Sequence, residues 1–149
     1  MVKKLVKIVS VLLLFALLIA GVFFYSIYYS VDHVKLVNET ISSTKIPTSM
    51  NDIKIAFISD IKYHGFMKKE RLSTMMETLE TAGADIVIFG GDVFTSFEEQ
   101  KPDSQTVREI TSLLQNIKAP LGKFAVLGDE DLVSKEAKQK VTTILYNSD

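Results

Sequence analysis

The chain has 149 residues, 17 lysines and arginines against 18 aspartates and glutamates, a formal net charge of −1 and no cysteine. Disulfides and thiolate metal centres are therefore excluded, and the near-neutral balance gives no electrostatic footing for a nucleic-acid partner. Hydrophobic residues make up 47% of the sequence, but much of that lies in one N-terminal block, which has to be set aside before the remainder is judged as a globular domain.

Residues 1–7 form a short basic tail carrying Lys3, Lys4 and Lys7, and residues 8–31 are uncharged, dense in Leu, Val, Ile and Phe, and end in Tyr25, Tyr28 and Tyr29. Crossing the hydrocarbon core takes about 20 residues, so 8–31 is expected to be a single transmembrane helix with its tyrosines at the interface. A cleaved signal peptide competes with that reading. Its apolar region is normally only ~7 to 15 residues long, and no Ala-x-Ala site follows the block here. The three lysines precede the span, while Asp32, Lys35 and Glu39 after it show no basic excess. The positive-inside rule then predicts a single-pass protein of the cell membrane, with the N-terminus cytoplasmic and the rest extracytoplasmic. Residues 32–52 are polar and rich in Ser and Thr. They read either as an edge strand through Val34–Ile41, with Val34, Leu36 and Ile41 alternating with polar residues, or as a plain tether.

From residue 53 onward strands alternate with helices. Ile53–Ser59 runs into Asp60, Asp85–Phe89 runs through Gly90 and Gly91 into Asp92, and Lys123–Gly128 runs into Asp129. Helices are expected over Lys68–Ala82 (Leu72, Met75, Met76 and Leu79 inward, Gly83 as stop), over Ser104–Lys118 (Asp103 as cap; Val107, Ile110, Leu113, Leu114 and Ile117 inward) and from about Ser134 (Ala137, Val141, Ile144 and Leu145 inward). The order βαβαβα predicts a parallel α/β sheet with right-handed crossovers, and the Asp85 strand reads as buried on both faces. Three aspartates would then meet at the carboxyl edge of the sheet, where ligands of open α/β sheets sit. Their mutual repulsion calls for a positive group between them, either a divalent ion held by oxygens or a lysine.

Strand-Ser59-Asp60, strand-Gly91-Asp92 and Pro120-x-Gly122 followed by strand-Gly128-x-x-Asp131, at these separations behind an N-terminal anchor, resemble the calcineurin-like metallophosphoesterases of membrane-anchored bacterial type. The resemblance covers Ile53 to about Tyr146. It implies the N-terminal half of an α/β/β/α sandwich, with residues 53–149 a partial phosphoesterase domain that is degenerate and truncated. In that family the motifs are Asp-x-His, Gly-Asp-x-x-Asp and Gly-Asn-His-Asp or Gly-Asn-His-Glu. Here they read Asp60-Ile61-Lys62, Gly91-Asp92-Val93-Phe94-Thr95 and Gly128-Asp129-Glu130-Asp131. By that match Asp60, Asp92 and Asp129 are the metal positions, Lys62 stands where a metal-binding histidine would, and Glu130 takes the place of the catalytic histidine. Thr95 and His64 are expected just behind the ligands. His64 is either close enough to swing toward the site or simply exposed, and His33 is expected to be a solvated tether residue. The family's Gly-His-x-His motif lies in a second half that does not follow here.

A two-metal phosphoesterase holds its ions ~3.5 to 4 Å apart and uses them to clamp phosphoryl oxygens and activate water. An all-oxygen remnant favours Mg²⁺ or Mn²⁺, weakly held, and Lys62 competes with any cation for the same space. Three readings follow: a pseudoenzyme or binding module that keeps the fold; a reduced phosphoester hydrolase using Mg²⁺ or Mn²⁺ on a phosphate ester, its site completed by a partner subunit supplying the missing half; or a gene fragment with apolar sheet surface laid bare.

Overall fold

A computed structural model of the chain describes residues 2–29, 34–63 and 67–148. His33 and His64, and the roles expected of them, lie outside the described residues. The chain divides into two compact units, one up to Lys35 and one from Leu36.

The first unit is the helix α1, Val2–Phe24, which continues as a π-helical turn over Tyr25–Tyr29. The stretch Val2–Tyr28 is long and apolar enough to cross a membrane by length and composition. At 1.5 Å per residue its 27 residues reach roughly 40 Å, against a hydrocarbon core of about 30 Å. The helix starts before the apolar block because Lys3, Lys4 and Lys7 are themselves good helix formers. In the wider terminal turn the rings of Phe24 and Tyr28 stack at 4.6 Å between centroids.

No strand forms over Val34–Ile41, which runs from the end of the first unit into the second. The adjacent Leu36 and Val37 break the alternation that a one-faced strand requires, and Val37 and Ile41 are both exposed. After one 3-10 turn, Thr48–Met50, the alternation of elements begins. The strands are β1 (Ile55–Ile58), β2 (Ile86–Phe89) and β3 (Lys123–Ala125), and the helices α2 (Lys69–Ala82), α3 (Ser104–Gln115) and α4 (Lys135–Tyr146). The sheet is parallel in the order β1-β2-β3, with Phe57 opposite Ile88 and Ile88 opposite Phe124.

Helix boundaries follow local chemistry. Gly83 stops α2 in the left-handed conformation (φ 63°) that costs a glycine nothing. Asp103 caps α3 by accepting the Thr106 N–H at 2.7 Å, and Ser134 caps α4 by accepting the Ala137 N–H at 3.1 Å. Ile58, Val87 and Phe89 from the sheet join Leu72, Met76 and Leu79 of α2, Ile110 and Leu114 of α3, and Ala137, Val141 and Ile144 of α4 in one core. Lys123 reaches from β3 to donate to the carbonyls of Leu114 (3.2 Å), Gln115 (3.2 Å) and Ser148 (2.7 Å), tying together the carboxyl ends of α3 and α4.

Among the described residues of the second unit the sheet is covered on one side only, which corrects the expectation that the Asp85 strand is buried on both faces. Val87 and Phe89 face the helices, but Ile86 and Ile88 are half-buried, and the neighbouring Ile55, Phe57, Phe124 and Val126 are exposed. Successive strands laid side by side with right-handed crossovers put every connecting helix on the same face.

Candidate functional site

Beyond the last paired residues of β1 and β2 the two segments run on together. The Asp60 N–H donates to the Gly91 carbonyl (3.1 Å), Lys62 N–H to Asp92 (2.9 Å) and Tyr63 N–H to Val93 (2.9 Å). Along this seam Asp60, Lys62 and Asp92 all have positive φ, at 56°, 45° and 57°. Such backbone costs of order 1–3 kcal/mol per residue outside glycine and gathers where side chains must be aimed.

The aim converges on Lys62. Its Nζ lies 3.1 Å from Asp60 Oδ1 and 3.8 Å from Asp92 Oδ2. The Ser59 hydroxyl donates to the other Asp60 oxygen at 2.6 Å, and the Thr95 hydroxyl donates to the Lys62 carbonyl at 3.0 Å. Thr95 therefore fixes the main chain of Lys62. The Ser59 hydroxyl first, and then the Lys62 ammonium, hold the Asp60 carboxyl below its ordinary pKa, and Asp60 in turn raises that of Lys62.

Asp92 has the opposite environment. Its side chain is mostly buried, and burial pushes its pKa up against the Glu130 N–H, which donates to Oδ1 at 3.1 Å. The charges of Asp129 and Asp131 add to that rise, so Asp129 joins the group through its field. Glu130 likewise contributes its main-chain N–H to Asp92 and its carboxylate charge to the upward push on Lys62.

Under these groups lies a clip that sequence reasoning missed. Asp131, 2% exposed, accepts the N–H groups of Asp92 (2.7 Å) and Gly128 (3.0 Å) on Oδ2 and that of Val93 (3.0 Å) on Oδ1. One carboxylate thus binds the β2 and β3 loops to each other. The loops are so close that a Cβ on Gly91 would strike the backbone of Gly128, and a Cβ on Gly128 would strike the Asp92 carboxylate. The Gly128-x-x-Asp131 spacing was the available signal, but an acid in an acidic run reads as solvated loop.

With this geometry in place, comparison with known proteins gives one informative result. The chain is similar to a metallophosphoesterase. It is 28% identical over 117 residues to the uncharacterized metallophosphoesterase YkuE of Bacillus subtilis (strain 168), a match covering 78% of this chain and 39% of that protein. The chain therefore spans less than half the length of this relative. No protein-family model and no solved structure matches.

The similarity raises divalent metal as an expectation, which the donor set can test. Lys62 lies within ion-pair distance of both Asp60 and Asp92, in the space a shared cation needs, and one Asp92 oxygen is engaged by the Glu130 N–H. Among the described residues no three His, Cys, Asp or Glu side chains are grouped so as to hold a metal ion. As arranged, these residues do not fit a metal pair.

Proposed function

We propose that this chain is a membrane-anchored relative of the metallophosphoesterases in which Lys62 has taken the place of the metal, leaving a binding module or pseudoenzyme. The carrying observation is the Lys62 ammonium, 3.1 Å from Asp60 and 3.8 Å from Asp92. A single lysine offsets one of the charges of Asp60, Asp92, Asp129 and Glu130. A phosphate ester approaching this rim therefore meets net repulsion, with neither a two-ion clamp nor, among the described residues, a histidine donor to counter it. The anchor is the Val2–Tyr28 helix, with Lys3, Lys4 and Lys7 on the cytoplasmic side and the α/β unit outside, in keeping with the charge asymmetry.

A second reading has one observation in its favour. The Lys62 side chain is 46% exposed, free enough to swing aside and admit Mg²⁺ or Mn²⁺ to Asp60 and Asp92. The discriminating measurement is hydrolysis of p-nitrophenyl phosphate and its bis ester by the full chain in detergent with Mn²⁺, set against Asp92→Ala. Equal, background rates and a melt indifferent to chelator are expected. Mn²⁺-dependent turnover that disappears in Asp92→Ala overturns the proposal and establishes the hydrolase.

A further inference from the structure

We infer that Lys3, Lys4 and Lys7 form a binding site for an anionic phospholipid headgroup at the amino end of α1. This rests on the reading of α1 as a membrane anchor and adds the class of lipid that the anchor selects. The three lysines are exposed and stand at positions i, i+1 and i+4 of one helix. Lys3 and Lys7 are thus four apart and Lys4 and Lys7 three apart, spacings that bring neighbours on a helix surface to roughly 5–6 Å. The result is a compact triangle of ammonium groups within an arc of about 100°. Nothing on the helix offsets it. Residues 1–31 contain no aspartate or glutamate, and among the described residues none of the three lysines has an ion-pair partner. Like charges at these spacings repel, so the triangle calls for an anion.

Helix length says which anion is within reach. With Tyr25 and Tyr28 at the far interface, the roughly 20 residues that cross the hydrocarbon, counted back from Tyr28, end at Ile8. Lys7 is then the first residue outside the hydrocarbon, and Lys3, one helical turn earlier, lies about 6 Å further out. The headgroup layer of one leaflet has about that depth, since a bilayer measures roughly 40–45 Å with its headgroups and about 30 Å without them. The lysine stems can lie along the apolar boundary while all three ammonium groups reach the phosphate layer. A phosphatidylcholine headgroup carries its own cation and leaves the triangle uncompensated. A phosphatidylglycerol headgroup has a phosphodiester with no internal counter-charge, and each basic side chain at such a surface adds severalfold to the attraction.

The test uses the full chain purified in a neutral detergent, where the orientation chosen at insertion plays no part. Native mass spectrometry with phosphatidylglycerol and phosphatidylcholine added in equal amounts should show the anionic lipid retained at least about tenfold more. The chain carrying Lys3→Gln, Lys4→Gln and Lys7→Gln together should retain the two lipids equally, and arginine at the same three positions should keep the preference. Flotation with vesicles of phosphatidylcholine alone checks the anchor separately, and both the wild type and the glutamine variant should float and resist an alkaline wash. A wild type that floats but retains both lipids equally, a glutamine variant that keeps the preference, or an arginine variant that loses it overturns the inference and leaves the anchor standing. A wild type that does not float overturns the anchor and the inference with it.

Discussion

The rim of the sheet holds two kinds of carboxylate, and they behave as opposites. At the end of β1, Asp60 is open to solvent, and its partners are a serine hydroxyl and a half-exposed ammonium. Between the β2 and β3 loops, Asp131 is sealed from water and bonded to three main-chain N–H groups. An exposed ion pair is screened by solvent and contributes little, while a buried acceptor holding several donors secures each against a penalty of ~1–3 kcal/mol. The residue that resembles a ligand is thus energetically replaceable, and the one that resembles a spare acid holds the loops in place.

The largest break in that contrast is Asp131→Ala. It strands three donors in the interior, and chemical denaturation of the full chain should show a loss of about 3 kcal/mol or more. Asp60→Asn, its surface counterpart, should stay close to wild type in the same experiment. Next comes Gly91→Ala. It places a methyl against Gly128 at a φ of 91°, where both overpacking and backbone strain operate, and a loss of about 2 kcal/mol is expected by the same measurement.

The smallest effect is read from pH and sharpens the comparison between Asp60 and Asp92. The Asp60 pKa is lowered in the fold, by Ser59 first. Its contribution is therefore complete above the unfolded value near 3.9 and fades as pH falls through the folded value. The Asp92 pKa is raised, chiefly by burial. The unfolded chain gives up that proton first, so Asp92 lowers stability as pH climbs from the unfolded value through the folded one. Melting curves from pH 3 to 7 should accordingly show Asp60→Asn converging on wild type at the acid end and departing below it toward neutrality. Asp92→Asn should show the reverse, its relative stability rising with pH. Parallel curves for the two variants would contradict the opposed environments.

Much of the α/β unit was legible because its helices obey a 3.6-residue period. Leu72, Met76 and Leu79, or Ala137, Val141 and Ile144, can face a core in only one way. The direction of the strand ends was legible too, since Gly90 and Gly91 mark where the chain must turn. The bare face was not. Ile86-Val87-Ile88-Phe89 carries the same apolar run whether or not a second layer lies against it, so composition reports readiness for burial and not burial itself. Val34–Ile41 read equally as a strand or a tether, because a few alternating apolar residues do not make a strand without a neighbour to pair with. At the site, charge was readable and hydrogen-bond partners were not. Lys62 announced itself as a cation among acids, whereas the role of Asp131 depends on N–H groups contributed from 38 and 39 positions away.

The seam of main-chain bonds joining Asp60, Lys62 and Tyr63 to residues 91–93 has a kinetic consequence. Its amides should exchange with deuterium slowly for a segment at the protein surface. Anything arriving at this edge would meet charged side chains carried on a scaffold that does not yield.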